Sequence, residues 1–266
     1  MRVLVTGAAG SIGTVLLPGL TALGHEVIGL DRSTAPDGSD TAWYAVDCTD
    51  PDAVEAVFAD LARSGGVEAV VHFAGRADEA SLTDELDSHV VSTAALLDAM
   101  VRHGVDRFVY ASSNHAVGRT PRSDLLTTDV RPRPDTFYGV AKVAAEALLS
   151  LYVDRHGIDA VALRIGSFLP QPETRRGLST WLSHDDAVRL VDAAISAPAP
   201  GFSVVYGISA NTRGWWDLEP GHALGYRPED DAEAHAADVP DRAEDEVEAA
   251  HVGGPFVTER FYRPAL

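Results

Sequence analysis

The chain has a single cysteine, Cys48, so no disulfide can form within it. A cysteine at the end of an apolar run reads as a small buried side chain. No run of about 18 apolar residues occurs, so no membrane span is expected. The start, MRVLVTGAAG, runs straight into glycines and lacks the apolar stretch and cleavage site of a signal peptide, so the chain reads as cytoplasmic. Positive charge is scarce: 21 Lys and Arg against 40 Asp and Glu give a net charge of −19. That balance argues against nucleic acid or an anionic membrane as partner. There is no HExxH and no cysteine pair, so no metal site is expected. His184, Asp185 and Asp186 read as a helix-capping cluster. No GxSxG elbow is present, which argues against a serine hydrolase. Lysine is scarcest of all: 20 of the 21 basic residues are arginine, and Lys142 is the only lysine. A general preference for arginine explains the twenty and leaves Lys142 to be explained.

What is present is ordinary for a globular chain: 45% hydrophobic and 23% charged residues over 266 positions, the size of one domain with a large core. Short Val- and Ala-rich runs at Val3–Val5, Glu26–Leu30, Trp43–Val46, Ala69–Phe73, Phe108–Ala111 and Ala160–Leu163 read as buried strands. Between them Ser11–Leu23, Pro51–Arg63, Thr83–His103 and Tyr138–His156 carry apolar residues at helical spacing. This alternation predicts an α/β fold, a doubly wound parallel Rossmann sheet with helices on both faces. Residues 1–164 would form its nucleotide-binding core and 165–266 a small C-terminal substrate-binding part of the same domain. In that part Trp181–Ser196 reads as a helix and Ser203–Ile208 as a strand. Trp181, Trp215 and Trp216 read as core or interface aromatics. The acidic stretch Pro228–Glu248 reads as solvated surface or loosely ordered chain.

Gly7, Gly10 and Gly13 follow the first strand and open the first helix in VLVTGAAGSIG. Glycines there allow a tight turn and close approach of the backbone to a pyrophosphate, and the helix N-terminus offers it free N–H groups. Asp31, 18 residues beyond Gly13, ends the second strand. A carboxylate there accepts from ribose hydroxyls and repels a 2′-phosphate, favouring NAD over NADP. Arg32 beside it weakens that preference. Asp47, ending the third strand, is placed either to accept from the adenine amino group or to form a turn.

Tyr138 and Lys142 are one helical turn apart at a helix start and share a face. An ammonium beside a phenol favours the phenolate. A compact ammonium with rotatable donors can also reach ribose hydroxyls where the planar fork of arginine differs in shape. Ser113, after the fifth strand, lies where such sheets bind ligands. Tyr138 as general base, Lys142 as its tuner and Ser113 as orienter would form one proton-transfer unit.

TGAAGSIG, ASSNHAVG and YGVAK, in this order, resemble the extended short-chain dehydrogenase/reductases. SSNH, RPDTFYGVAK, RIGS, LSTWLSHDD and SANTRGWWD are similar to the uronate dehydrogenases across nearly the whole chain. The resemblance implies NAD as cofactor and oxidation of the C1 hydroxyl of a cyclic uronic acid to an aldarolactone. It implies cofactor contacts at Ser11, Ile12 and Ala74 besides Gly7, Gly10, Gly13, Asp31, Asp47, Tyr138 and Lys142. It places substrate contacts at Asn114, His115, Ser167 and Arg176 besides Ser113 and Tyr138, with Arg176 taking the carboxylate and Arg175 adding positive potential. It also implies a homo-oligomer, paired through the helix Tyr138–His156. Two positions depart from the family: Ala77 replaces a substrate-binding serine, and His89 replaces an asparagine. Oxidation of another aldose or a sugar phosphate at C1, a nucleotide-sugar epimerase and a cofactor-binding regulator stay open as alternatives.

Overall fold

Residues two apart on a strand face the same way, and the strands of this protein use that period to bury both faces. The computed structural model describes all residues, 1–266. The strands are β1 (Arg2–Thr6), β2 (Glu26–Asp31), β3 (Ala42–Ala45), β4 (Ala69–His72), β5 (Arg107–Ser113), β6 (Asp159–Ile165), β7 (Ser167–Phe168), β8 (Trp181–Leu182) and β9 (Phe202–Gly207). The helices are α1 (Gly13–Ala22), α2 (Pro51–Arg63), α3 (Leu82–Leu86), α4 (Ser92–His103), α5 (Phe137–His156), α6 (Gly177–Thr180), α7 (His184–Ser196), α8 (Glu219–Leu224) and α9 (Asp245–Ala249). Seven strands form one all-parallel sheet in the order β3-β2-β1-β4-β5-β6-β9. Its last strand therefore comes from beyond residue 164. β7 and β8 pair separately as a short parallel ladder.

Leu4, Val70, Phe108, Tyr110, Ala160 and Ala162 point to one face, where α2, α4 and α5 cover them with Val54, Phe58, Leu96, Ala145 and Leu149. Val3, Val5, Val71, Val109, Val161 and Leu163 point to the other, against Leu16 and Leu20 of α1 and Leu190 and Val191 of α7. The sheet is doubly wound as expected. Because β1 is flanked by β2 and by β4, successive connections leave it in opposite directions. The chain therefore parts beyond the C-terminal ends of β1 and β4, and a crevice opens there.

Helix ends follow local chemistry. Asp50 caps α2, accepting from Asp52 N and Ala53 N at 3.1 Å each, with Pro51 at the first helical position. α4 and α5 end on Gly104 and Gly157, both left-handed with φ of 69° and 70°. The sequence predicts one helix over Thr83–His103; the structure divides it, with a π-helical turn over Asp87–Val91 between α3 and α4. Side chains compete for carbonyls there: Ser92 Oγ donates to Ser88 O and Thr93 Oγ1 to His89 O, each at 2.6 Å. The predicted helix from Trp181 starts later, at His184, because Trp181 and Leu182 pair as β8 and Ser183 caps α7, its Oγ accepting from Asp186 N at 2.9 Å.

Trp215, Trp216, Tyr206, Ile208 and Val252 form a smaller core under the loops, and Trp181 packs with Leu178 and Ala232 in another. Cys48 is buried. The acidic stretch is more ordered than its composition suggests: it holds a 3-10 segment over Ala232–Asp238 and α9. Arg213 pairs with Glu233, and Arg242 with Asp245 and Glu248.

Beneath the crevice lies a buried ion pair. Arg164 donates through Nε and Nη2 to Glu146 at 2.9 and 2.8 Å, and Ser112 Oγ donates to the same carboxylate at 2.5 Å. Removing one partner leaves a buried charge uncompensated. Glu146→Ala is expected to cost about 3–5 kcal/mol of folding stability, read by urea denaturation against the unaltered protein.

Candidate active site

The crevice begins at the turn after β1. Gly7 has φ +70°, and a Cβ on it would lie 2.5 Å from Ala74 N; a Cβ on Gly13 would lie 2.3 Å from Gly7 O. Only glycine fits either position. Gly10 N donates to Gly7 O at 2.9 Å, and Ala74 N donates to Thr6 Oγ1 at 3.2 Å, which ties the turn to the end of β4. Asp31 accepts from Ala9 N and Ser33 N, both at 3.0 Å. A cleft of about 470 Å³ opens here, lined by Gly7, Gly10, Asp31, Asp47 and Ala74 among others. Asp47 accepts from Thr49 N at 2.9 Å and Thr49 Oγ1 at 2.8 Å. These bonds, led by the backbone one, hold its carboxyl below the usual range. Asp47 is thus a turn-forming aspartate that also faces the cleft.

A second cleft of about 260 Å³ shares Gly7, Gly10, Gly75 and Arg76 with the first, and Ser11, Ile12 and Gly13 line it. It reaches Ser113, Tyr138, Lys142 and His89. Three elements meet there. β5 ends at Ser113, whose Oγ accepts from His115 N at 3.2 Å and so caps the next turn. α5 starts under two caps. Thr136 Oγ1 accepts from Gly139 N at 2.9 Å, and the Glu79 carboxylate accepts from Phe137 N and Tyr138 N at 2.8 and 3.0 Å. A carboxylate at a helix N-terminus also satisfies the dipole. A Cβ on Gly139 would lie 2.5 Å from His115 O, so this glycine lets α5 lie directly on the turn that carries Ser113.

Lys142 is 4% exposed. Its Nζ donates to Ala111 O at 2.6 Å and sits 4.8 Å from the Tyr110 ring centre and 5.1 Å from that of Tyr138. Burial pushes the ammonium down to about 7, against the pull of Glu85 and Glu146. Burial likewise pushes the Tyr138 phenol up to about 12; the Ser113 hydroxyl opposes this and Glu85 adds to it. The sequence led us to expect a phenol acidified by the ammonium. In the folded protein desolvation is the largest influence, and the phenol is raised rather than acidified.

The sugar-contact residues are gathered only in part. Ser113 and Tyr138 line the smaller cleft. Asn114 and His115 follow in the adjoining turn. Asn114 Oδ1 accepts from Ser113 Oγ at 3.3 Å, and His115 Nδ1 lies 2.9 Å from the Asp135 carboxylate. Ser167 stands between two lining residues, Gly166 and Phe168, with its hydroxyl 2.9 Å from Thr180 Oγ1. Arg176 lines a different cavity, of about 640 Å³, with Arg122, Arg175 and Arg213. Its Nη2 donates to Val252 O at 2.5 Å, and Phe256 of the same segment packs on His115 with ring centres 4.6 Å apart. Segment Val252–Phe256 thus stands between Arg176 and His115. Arg175 is paired with Asp241.

Sequence reasoning missed Glu79, which caps the catalytic helix, and Glu85 and Asp135, which sit against His89 and His115. Glu79 and Asp135 act on residues distant in sequence, so no spacing signals them; Glu85 stands four residues before His89 in the predicted helix, a spacing that places both on one face.

A glycine cradle that a Cβ would fill, a carboxylate at the end of β2 and a helix N-terminus facing the turn suit a dinucleotide, and they define a nucleotide-binding doubly wound α/β protein. The chain belongs to the NAD dependent epimerase/dehydratase family, whose pattern matches residues 3–184. Its cofactor is NAD. A uronate dehydrogenase of Pseudomonas syringae pv. tomato is 38% identical over 261 residues, 96% of this chain and 93% of the relative. An NAD-dependent glucose-6-phosphate dehydrogenase of Haloferax volcanii is 36% identical over 253 residues, 86% of this chain and 94% of the relative. The crystal structure of uronate dehydrogenase from Agrobacterium tumefaciens, a tyrosine-to-alanine mutant complexed with NAD, superposes with a TM-score of 0.89. It is 36% identical, covering 99% of this chain and 99% of that one.

Gly13→Ala would force its methyl against the Gly7 carbonyl. We expect NAD affinity, read by calorimetric titration, to fall by at least about tenfold, or about 1.4 kcal/mol, with the far-ultraviolet spectrum kept.

Proposed function

We propose that this enzyme oxidises the C1 hydroxyl of a cyclic uronic acid, glucuronate or galacturonate, to the aldarolactone. The observation that carries the proposal is the meeting of Ser113, Tyr138 and Lys142 in one cleft that runs into the glycine cradle. The uronate dehydrogenase relative, alike over nearly the full length of both chains, supports the substrate class.

Gly7, Gly10 and Gly13 cradle the cofactor's pyrophosphate, and Asp31 accepts from its adenosine ribose. Bound NAD supplies the hydride acceptor and a positive charge that favours the phenolate. Ser113 donates to the C1 oxygen and orients it towards Tyr138. Tyr138 removes the hydroxyl proton. Lys142 is held in place by Ala111 O and by the rings of Tyr110 and Tyr138, and as a compact cation it stabilises the phenolate and the ribose hydroxyls. That place is enclosed except towards the cleft, which suits a compact head better than the broader guanidinium. Asp135 accepts from His115 Nδ1, since a carboxylate cannot donate, and this fixes the ring's tautomer and orientation towards the sugar. Arg176, to which the resemblance gives the substrate carboxylate, has a buried Nε without a partner, and it reaches the sugar only if the segment Val252–Phe256, to which its Nη2 donates, gives way.

A second reading, C1 oxidation of a sugar phosphate or another aldose, draws support from the Haloferax volcanii relative and from Ala77 standing where a substrate-binding serine is expected. A panel of uronates, aldoses and sugar phosphates, followed by NADH absorbance, decides between them. Turnover of glucose 6-phosphate without turnover of either uronate would overturn the first reading. Release of free NADH at each turnover would exclude an epimerase.

Tyr138→Phe should lower kcat by about 10³-fold, the span of general acid–base catalysis, with NAD affinity kept. Because burial raises the phenol, its base form grows as pH rises. Turnover of the unaltered enzyme should therefore climb through the alkaline range, and the residual rate of Tyr138→Phe should not.

A further inference from the structure

A uronate and a sugar phosphate share one feature that the catalytic cleft has to answer: an anionic group. Arg176, to which the resemblance gives that group, lines a different cavity and donates to Val252 O. Ala77, on the wall of the catalytic cleft, offers no hydroxyl where a serine is expected. Two charged side chains line that cleft, Arg76 and Lys142. Lys142 is committed to Ala111 O beside the phenol ring.

Arg76 is held differently. It follows Gly75 in the loop after β4, and its main chain is fastened to the π-helical turn Asp87–Val91. Arg76 N donates to Ser88 Oγ at 2.8 Å, and Arg76 O accepts from His89 Nε2 at 3.1 Å. Gly75 has φ +155°, and a Cβ on it would lie 2.4 Å from His89 Cε1, so only glycine lets the loop lie this close to the ring. Three residues beyond Arg76, the Glu79 carboxylate accepts from Phe137 N and Tyr138 N at the start of α5. The loop is thus tied to the π-helical turn at Arg76 and to the catalytic helix at Glu79. These ties set Arg76 and Ala77 along the wall of the cleft that holds Ser113 and Tyr138.

The guanidinium itself has no partner, since the only hydrogen bonds of Arg76 are the two made by its main chain. Asp84 and Asp87 line the wider cleft with it, and it pairs with neither. The cofactor's pyrophosphate is provided for by the glycine turn and the N-terminus of α1. A fixed backbone that carries an unpaired guanidinium into a catalytic cleft is arranged to meet an anion that arrives with the substrate.

We propose that Arg76 binds the anionic group of the sugar, the carboxylate of a uronate or the phosphate of a sugar phosphate, and so selects for acidic sugars. Its parallel N–H donors match two oxygens of either group. Arg76 then takes the part that the resemblance gives to Arg176, with no displacement of Val252–Phe256. The proposal rests on the reading of the enzyme as a C1 dehydrogenase of a sugar that carries an anion.

The test uses Arg76→Gln and Arg76→Lys, with Arg176→Gln in parallel, all in the full chain. NAD affinity is measured by calorimetry without sugar. The kcat and KM are measured with whichever of glucuronate, galacturonate and glucose 6-phosphate the unaltered enzyme oxidises. Because the Arg76 guanidinium has no partner in the fold, Arg76→Gln should keep the thermal midpoint and the NAD affinity. It should raise KM about ten- to a hundredfold, the loss of a charge-assisted pair, with kcat changed far less. Arg76→Lys keeps the charge without the fork and should recover part of that loss. Added salt should raise the KM of the unaltered enzyme more than that of Arg76→Gln. An unchanged KM in Arg76→Gln overturns the proposal, whether or not Arg176→Gln raises it. A loss of NAD affinity as large as the rise in KM also overturns it, since the anion is then the cofactor's pyrophosphate. Turnover of glucose 6-phosphate and of neither uronate defeats the uronate reading alone, and the same KM comparison is then made with the phosphate. Turnover of uncharged aldoses only defeats both.

Discussion

Lys142 sets a basic group almost out of reach of water, and much of the architecture around the cleft answers that one demand. A buried ammonium needs an acceptor and nearby negative charge. Ala111 O supplies the first at 2.6 Å. Glu146, one turn along α5, and Glu85, on α3, supply the second. Glu146 is in turn paired with Arg164 and accepts from Ser112. The result is a continuous polar layer beneath the crevice, set between two apolar faces of the sheet. Arg164 and Glu146 are paired within it, and Lys142 alone among its charged groups lines the cleft together with the phenol.

The sheet decides where that layer can act. All seven strands run parallel, so their C-terminal ends form one edge. At the junction of β1 and β4 that edge opens, and the glycine turn lets the backbone approach it closely. Ser113 comes from β5, Tyr138 and Lys142 from α5, and His89 from the π-helical turn. The caps on α5 fix its first turn, the one place where an error in rotation would carry Tyr138 out of the cleft. Glu79 contributes from a loop far away in sequence, so the position of the catalytic helix depends on the loop after β4.

Beyond residue 164 the chain adds one strand to the sheet and then turns to loops held by aromatic packing and arginine–carboxylate pairs. The excess of acid leaves few arginines free of carboxylates in this region. Arg175, Arg213 and Arg242 are each paired, whereas the Arg176 Nε has no partner and its Nη2 meets only a backbone carbonyl. The arginine-lined cavity and the catalytic cleft are therefore neighbours separated by the segment Val252–Phe256.

The sequence by itself determined the fold class, because strand and helix periods and the Gly7–Gly13 turn are local, steric signals. It also determined that Tyr138 and Lys142 share a helix face, and that Ser113 lies at the C-terminal end of the fifth strand's run; the structure extends that strand to include it. It left three things open, each requiring contacts between distant segments. The π-helical turn within Thr83–His103 is held against the loop after β4, where Arg76 N donates to Ser88 Oγ and Arg76 O accepts from His89 Nε2. The placement of Arg176 behind Val252–Phe256 depends on where the last residues of the chain return. The proton affinity of Tyr138 depends on how fully the fold strips water from it: neighbour identity alone pointed to an acidified phenol, while burial drives it up to about 12. Desolvation is a property of the enclosing volume, which no spacing of residues encodes, and only the tertiary structure could set it.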